Sequence, residues 1–137
     1  MEKTSILYPA ISMMTLTLFI YVKNYLDNRK AVLNKSVKFS YFKTYKGEVP
    51  DYMTVSRQTL KNQFELPIFF YFLISIILAF DKVSQLDIIF AWLFSGSRYL
   101  HCYIRLSSNY VPYRGKIFQL SMLILIVWWI VFLYNIL

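Results

Sequence analysis

Four stretches of the chain are long, apolar and nearly free of charge. Ile6–Val22, Leu66–Phe80 and Ile117–Leu137 contain no Asp, Glu, Lys or Arg, and a shorter run, Ile88–Ser97, continues past Arg98 as far as Leu106. They are apolar all round rather than along one stripe, so as helices in water they would have no solvated face to offer. A bilayer core of about 30 Å is crossed by roughly 20 helical residues. The pattern therefore predicts an all-α membrane protein, a four-transmembrane-helix bundle in a single domain over residues 1–137. The approximate spans are 5–26, 58–80, 86–108 and 115–136, the second and third with polar residues at one end. Ile6–Val22 lacks a small-residue cleavage pattern and runs into Lys23-Asn24-Tyr25-Leu26, which marks a retained span rather than a removable leader.

Composition agrees with this division. Hydrophobic residues make up 58% of the chain and aromatic residues 20%, against roughly 45–50% apolar content in an ordinary soluble domain. Three glycines and four prolines leave room for only one long connection, Asp27–Thr54, rich in Lys and Tyr, with Gly47 and Pro50 as turn residues. Its simplest reading is an interfacial loop whose lysines meet anionic lipid headgroups.

Charge then orients the bundle. One side of a four-span chain offers Lys3 and Lys82, offset by Glu2, Asp81 and Asp87. The other carries Arg29, Lys30, Lys35, Lys38, Lys43, Lys46, Arg57, Lys61, Arg105, Arg114 and Lys116. The positive-inside rule places the second side in the cytoplasm and both termini outside it. A net charge of +8 is thus accounted for by topology, and no nucleic-acid partner is implied.

Some polar residues fall where a bilayer makes them expensive, which by default marks a functional site. Arg98, His101, Arg105 and Asn109 recur at i, i+3, i+7 and i+11, one narrow stripe of a helix. On the second span Gln58, Asn62 and Glu65 form a comparable stripe, with Arg57 and Lys61 beside it. Counting 1.5 Å per residue from Asp87 puts Arg98 about 16 Å deep and His101 about 21 Å, with Glu65 about 24 Å from the same face. Glu65 is the natural counter-ion for Arg98 or Arg105, and a structural ion pair between two helices is the plain account. One carboxylate does not balance Lys61, Arg98, Arg105 and Arg114, however, so a lipid phosphate or a multiply anionic ligand is called for. Glutathione fits on chemistry: its two carboxylates suit arginine forks and its ammonium suits Glu65. A single histidine excludes a His-rich metal site. Cys102, one step off the stripe, reads as packing, and Trp92, Trp128 and Trp129 as lipid-facing or interfacial.

The stretch Arg57-Gln-Thr-Leu-Lys61-Asn62-Gln63-Phe64-Glu65-Leu-Pro67-Ile-Phe-Phe-Tyr71 is followed by Arg98-Tyr-Leu-His101 and Asn109-Tyr-Val-Pro-Tyr-Arg114. This pattern resembles the membrane-associated proteins in eicosanoid and glutathione metabolism, the MAPEG family, and is most similar to its bacterial-type members, where Asn-x-Phe-Glu-x-Pro recurs. The resemblance spans nearly the whole chain. It implies a homotrimer, in a bacterial inner membrane, with glutathione held between neighbouring subunits and a hydrophobic small-molecule substrate entering from the membrane lipids. By the same resemblance, Asn62, Glu65 and His101 help hold the tripeptide and Arg98 matches an arginine of the same motif, while Lys61 and Arg105 join the binding set through their place in the charged cluster. Arg114 matches an arginine near the glutathione sulfur, where a fixed cation favours the thiolate over a thiol of pKa about 8.5. The chain departs from active relatives in three places: Arg105 and Phe118 stand where tyrosines are common, and Gln58 where an arginine is common.

Two functions follow from the resemblance. One is a glutathione-dependent transferase or peroxidase acting on a hydrophobic electrophile or lipid hydroperoxide. The other is a non-catalytic lipid-binding or partner-presenting protein of the same fold, which the changes at Arg105 and Phe118 favour.

Overall fold

The computed structural model describes residues 3–137, so Glu2, counted above in the charge asymmetry, lies outside the described residues. After a short turn of 3-10 helix, Lys3–Ile6, the chain forms α1 (Leu7–Leu33), a 3-10 turn at Phe39–Lys43, α2 (Asp51–Asn62), α3 (Pro67–Ala79), α4 (Gln85–Leu106) and α5 (Val111–Ile136). Among the described residues there is no strand.

Three helical stretches are long and apolar enough to cross a membrane: Thr4–Leu33, Asp51–Ala79 and Val111–Ile136. These make the chain an integral membrane protein. The 22 residues of α4 have the length, about 33 Å at 1.5 Å per residue, but Asp87, Arg98, His101 and Arg105 dilute its apolar character. All four of those side chains are buried within the bundle. Burial inside protein is how a helix tolerates such residues at membrane depth.

α4 is the central element, packed against α1, α2 and α5. Its start is fixed by a capping box: Ser84 Oγ accepts from the Asp87 N–H at 3.2 Å while Asp87 Oδ2 accepts from the Ser84 N–H at 2.8 Å. Asp87 Oδ1 also accepts from Trp128 Nε1 at 2.8 Å, tying α4 to α5. Trp128 is completely buried, so it belongs to the core and not to the lipid-facing aromatics with which its sequence neighbours had placed it. Phe70 stacks on Phe94 with centroids 4.7 Å apart and meets Trp128 edge-on at 6.0 Å. Around them Met13, Ile20, Leu73, Ile77 and Ala91 close the apolar core.

The second apolar run is broken in the middle. α2 ends at Asn62 and α3 begins at Pro67, with turns between. Proline has no N–H to give and its ring crowds the carbonyl four residues back, so Pro67 interrupts the ladder here. The N–H groups of Gln63 and Phe64 instead reach three residues back, to Leu60 and Lys61.

Beyond the expected spans, α1 continues for two turns past residue 26 and α2 starts seven residues before 58. The extra turns and the connection between them form a second small core of Ala31, Val37, Tyr41 and Met53.

Candidate functional site

The polar cluster lies where α2, α4 and the start of α5 converge. On α4, Arg98 is 0% exposed, His101 2% and Arg105 7%. A helical stripe delivers these three together, but α4 stops at Leu106, so Asn109 is not on that stripe. Asn109 sits in the left-handed region at φ 49°, a conformation Asn tolerates better than most residues. From there its Oδ1 accepts from Arg114 Nη1 at 2.5 Å. This bond fixes Arg114 in the first turn of α5, within electrostatic reach of His101 and Arg105.

The helix break supplies the partners from the other side. Arg98 Nη2 donates to the Asn62 main-chain carbonyl at 3.3 Å, an acceptor that an unbroken helix would pair with the N–H of Leu66. Arg105 Nη2 donates to Gln58 Oε1 at 2.6 Å. With the Asn62 amide turned to satisfy both neighbours, its oxygen accepts from Arg105 Nη1 at 3.1 Å and its nitrogen donates to Glu65 Oε2 at 3.1 Å. Asn62 therefore bridges the arginine and the acid.

Glu65 is not the direct counter-ion of either buried arginine. It stands in the turn after α2, half-exposed, 4.0 Å from Lys61 Nζ, while its charge still acts on Arg98 and Arg105. The Lys61 side chain is more exposed still. Phe118 forms an aromatic wall: its ring lies 5.8 Å from the Arg98 guanidinium carbon and 6.0 Å from the His101 ring. An arginine over a ring face is attracted by its quadrupole.

Five buried polar atoms in and beside the cluster have no hydrogen-bond partner: Arg98 Nε and Nη1, His101 Nδ1, Arg105 Nε and Gln63 Oε1. Each such atom costs about 1–3 kcal/mol unless something meets it. Gln63 was not singled out by the stripe because it points elsewhere. It is 2% exposed and its Nε2 donates to Cys102 Sγ at 3.1 Å, which accounts for the buried, free cysteine as a packed partner. No group of three or more His, Cys, Asp or Glu side chains able to hold a metal ion occurs among the described residues.

An apolar groove of about 540 Å³ runs between α1 and α4, walled by Leu16, Phe19, Tyr99, Tyr103 and Leu106. It includes Cys102 but none of the charged cluster, so apolar volume and polar chemistry are separate features of this molecule.

Fold and site together define an integral membrane helical protein with a buried cationic cluster near one end of its bundle. The model of the MAPEG family matches residues 6–134, nearly the entire chain, and the protein belongs to that family. The family includes glutathione-dependent transferases and peroxidases as well as non-catalytic members. No curated protein and no solved structure matches the chain.

Proposed function

We propose that the protein is a glutathione-dependent membrane enzyme of the transferase or peroxidase type, acting on a hydrophobic electrophile or lipid hydroperoxide. Its α4 serves as the fourth span, and it works as a homotrimer in a bacterial inner membrane with both termini non-cytoplasmic. The observation that carries this is three buried donors without an acceptor, Arg98 Nε and Nη1 and Arg105 Nε. A dianionic, hydrogen-bonding ligand meets that need, and the carboxylates of glutathione are of this kind.

When bound, glutathione supplies the thiol nucleophile. Arg98 and Arg105 take its carboxylates, Glu65 its ammonium, and Asn62, already bonded to both sides, holds their spacing. His101 offers Nδ1, and Lys61 adds a flexible cation at the rim. Arg114, held by Asn109, favours the thiolate by charge.

Calorimetric titration of reduced glutathione into the detergent-purified protein tests the reading. Saturable binding that is weakened in both Arg98→Ala and Arg114→Ala is expected. Folded wild-type protein that takes up no glutathione would overturn it. The family's second mode, a non-catalytic lipid-binding protein, is favoured by one observation: Arg105 is already engaged by Gln58 and Asn62. Bound phospholipid that survives purification, without glutathione binding, would select that mode.

A further inference from the structure

The connection between α1 and α2 builds a second, separate surface. Its underside is fixed: Tyr41 is buried in the small core with Ala31, Val37 and Met53, and its hydroxyl accepts from Arg57 Nη1 at 2.6 Å. The Arg57 guanidinium carbon also lies 5.5 Å from the Tyr45 ring centroid. Against this rigid base, Phe39 is left 79% exposed, Leu33 68% and Tyr25 64%. A folded segment that presents large apolar side chains so openly is built to meet something apolar.

Between the last turns of α1 and the 3-10 turn lies a groove of about 410 Å³, lined by Tyr25, Asn28, Arg29, Val32, Phe39 and Phe42 among others. Its walls are mainly apolar, and Arg29 is the one charged residue in them. Around it Lys35, Lys38, Lys43 and Lys46 are exposed, and Glu48 is the only acid between Asn28 and Pro50. Position settles which apolar partner is at hand. With the span ending near residue 26, Arg29 stands about 5 Å and Val32 about 9 Å beyond the hydrocarbon edge, while the headgroup layer is about 5–8 Å deep on each side.

We propose that this groove is a binding site for one anionic phospholipid, whose upper acyl carbons and glycerol lie on Tyr25 at the hydrocarbon edge, whose phosphate meets Arg29 and whose headgroup carbons lie over Val32 and Phe39. The surrounding lysines attract the anionic leaflet in general. The groove and Arg29 turn that diffuse attraction into a discrete site. The site is independent of the glutathione cluster and stands or falls apart from it.

Native mass spectrometry of the full-length protein tests this, after release from mixed micelles holding equal phosphatidylglycerol and phosphatidylcholine. Wild type retains phosphatidylglycerol preferentially. Arg29→Gln lowers the retained fraction by roughly fivefold, the order expected for one basic residue at a membrane surface, Phe39→Ser lowers it through lost apolar contact, and Lys116→Gln leaves it unchanged. Equal retention of the two lipids would overturn the proposal, because the groove would then not distinguish an anionic headgroup from a zwitterionic one. Equal losses in Arg29→Gln and Lys116→Gln would overturn it too, because only general charge would be at work. Unchanged melting temperatures confirm that the variants are folded.

Discussion

At the start of α4 a buried acid is met on every side, whereas three and five turns further along two buried arginines are not. Asp87 accepts from the Ser84 N–H, the Ser84 hydroxyl and Trp128 Nε1, all between 2.6 and 2.8 Å. Arg98 has one long bond to a carbonyl and two donors left over. Both residues sit on the same helix and both are withdrawn from solvent. A buried group with full satisfaction stabilises the fold, and one with partial satisfaction raises its energy until a partner arrives. The comparison teaches that charge alone does not mark a ligand site in a membrane bundle; the shortage of partners does.

Substitutions sharpen that difference. Asp87→Ala removes the side-chain half of the capping box, leaving the bond from its own N–H to Ser84 Oγ, and strands the Trp128 N–H, and is expected to cost about 2–4 kcal/mol of stability. Thermal unfolding in detergent measures this, and glutathione titration of the surviving folded protein should match wild type. Arg98→Met acts in the opposite sense. Exchanging an under-partnered buried cation for an apolar side chain should raise the stability of the ligand-free protein by about 1–2 kcal/mol, while glutathione binds at least tenfold more weakly. A fall in stability as large as that of Asp87→Ala would make Arg98 a structural residue and remove the contrast.

Smaller effects test the rim. Glu65→Gln keeps the bond from Asn62 but loses the charge, so glutathione affinity should drop by roughly three- to tenfold with little change in melting temperature. Lys61→Ala removes only an exposed pair 4.0 Å long, and a stability change of less than about 0.5 kcal/mol is expected.

Much of this arrangement was legible along the chain. The stripe of Arg98, His101 and Arg105 emerged from helical spacing alone, because α4 is regular over all three. Asn109 broke the pattern: the helix ends at Leu106, and a side chain that spacing had put at the end of the stripe accepts from Arg114 instead. Trp128 was misassigned because residue type says nothing about a partner 41 positions away, and Asp87 is that partner. That α1 runs on past the expected span has a related reason. Its last turns are too polar to read as membrane, and they are helical because they pack on Val37, Tyr41 and Met53. Gln63 left no signal of its own, because it stands among Lys61, Asn62 and Glu65 as one more polar residue of the stretch. The ion pair of Glu65 with Arg98 or Arg105 expected from depth did not form: Glu65 stands half-exposed in the turn before Pro67, and the Asn62 carbonyl meets Arg98 instead.

That last exchange has a consequence for anyone scanning the protein by mutation. The acceptor holding Arg98 belongs to the main chain, so no replacement of the Asn62 side chain deletes it. An alanine at position 62 would report on Arg105 and Glu65 and stay silent about Arg98. The genetic handle on that bond is five residues away, at Pro67: restoring a regular helix there would return the carbonyl to the N–H of Leu66 and leave Arg98 without that hydrogen bond.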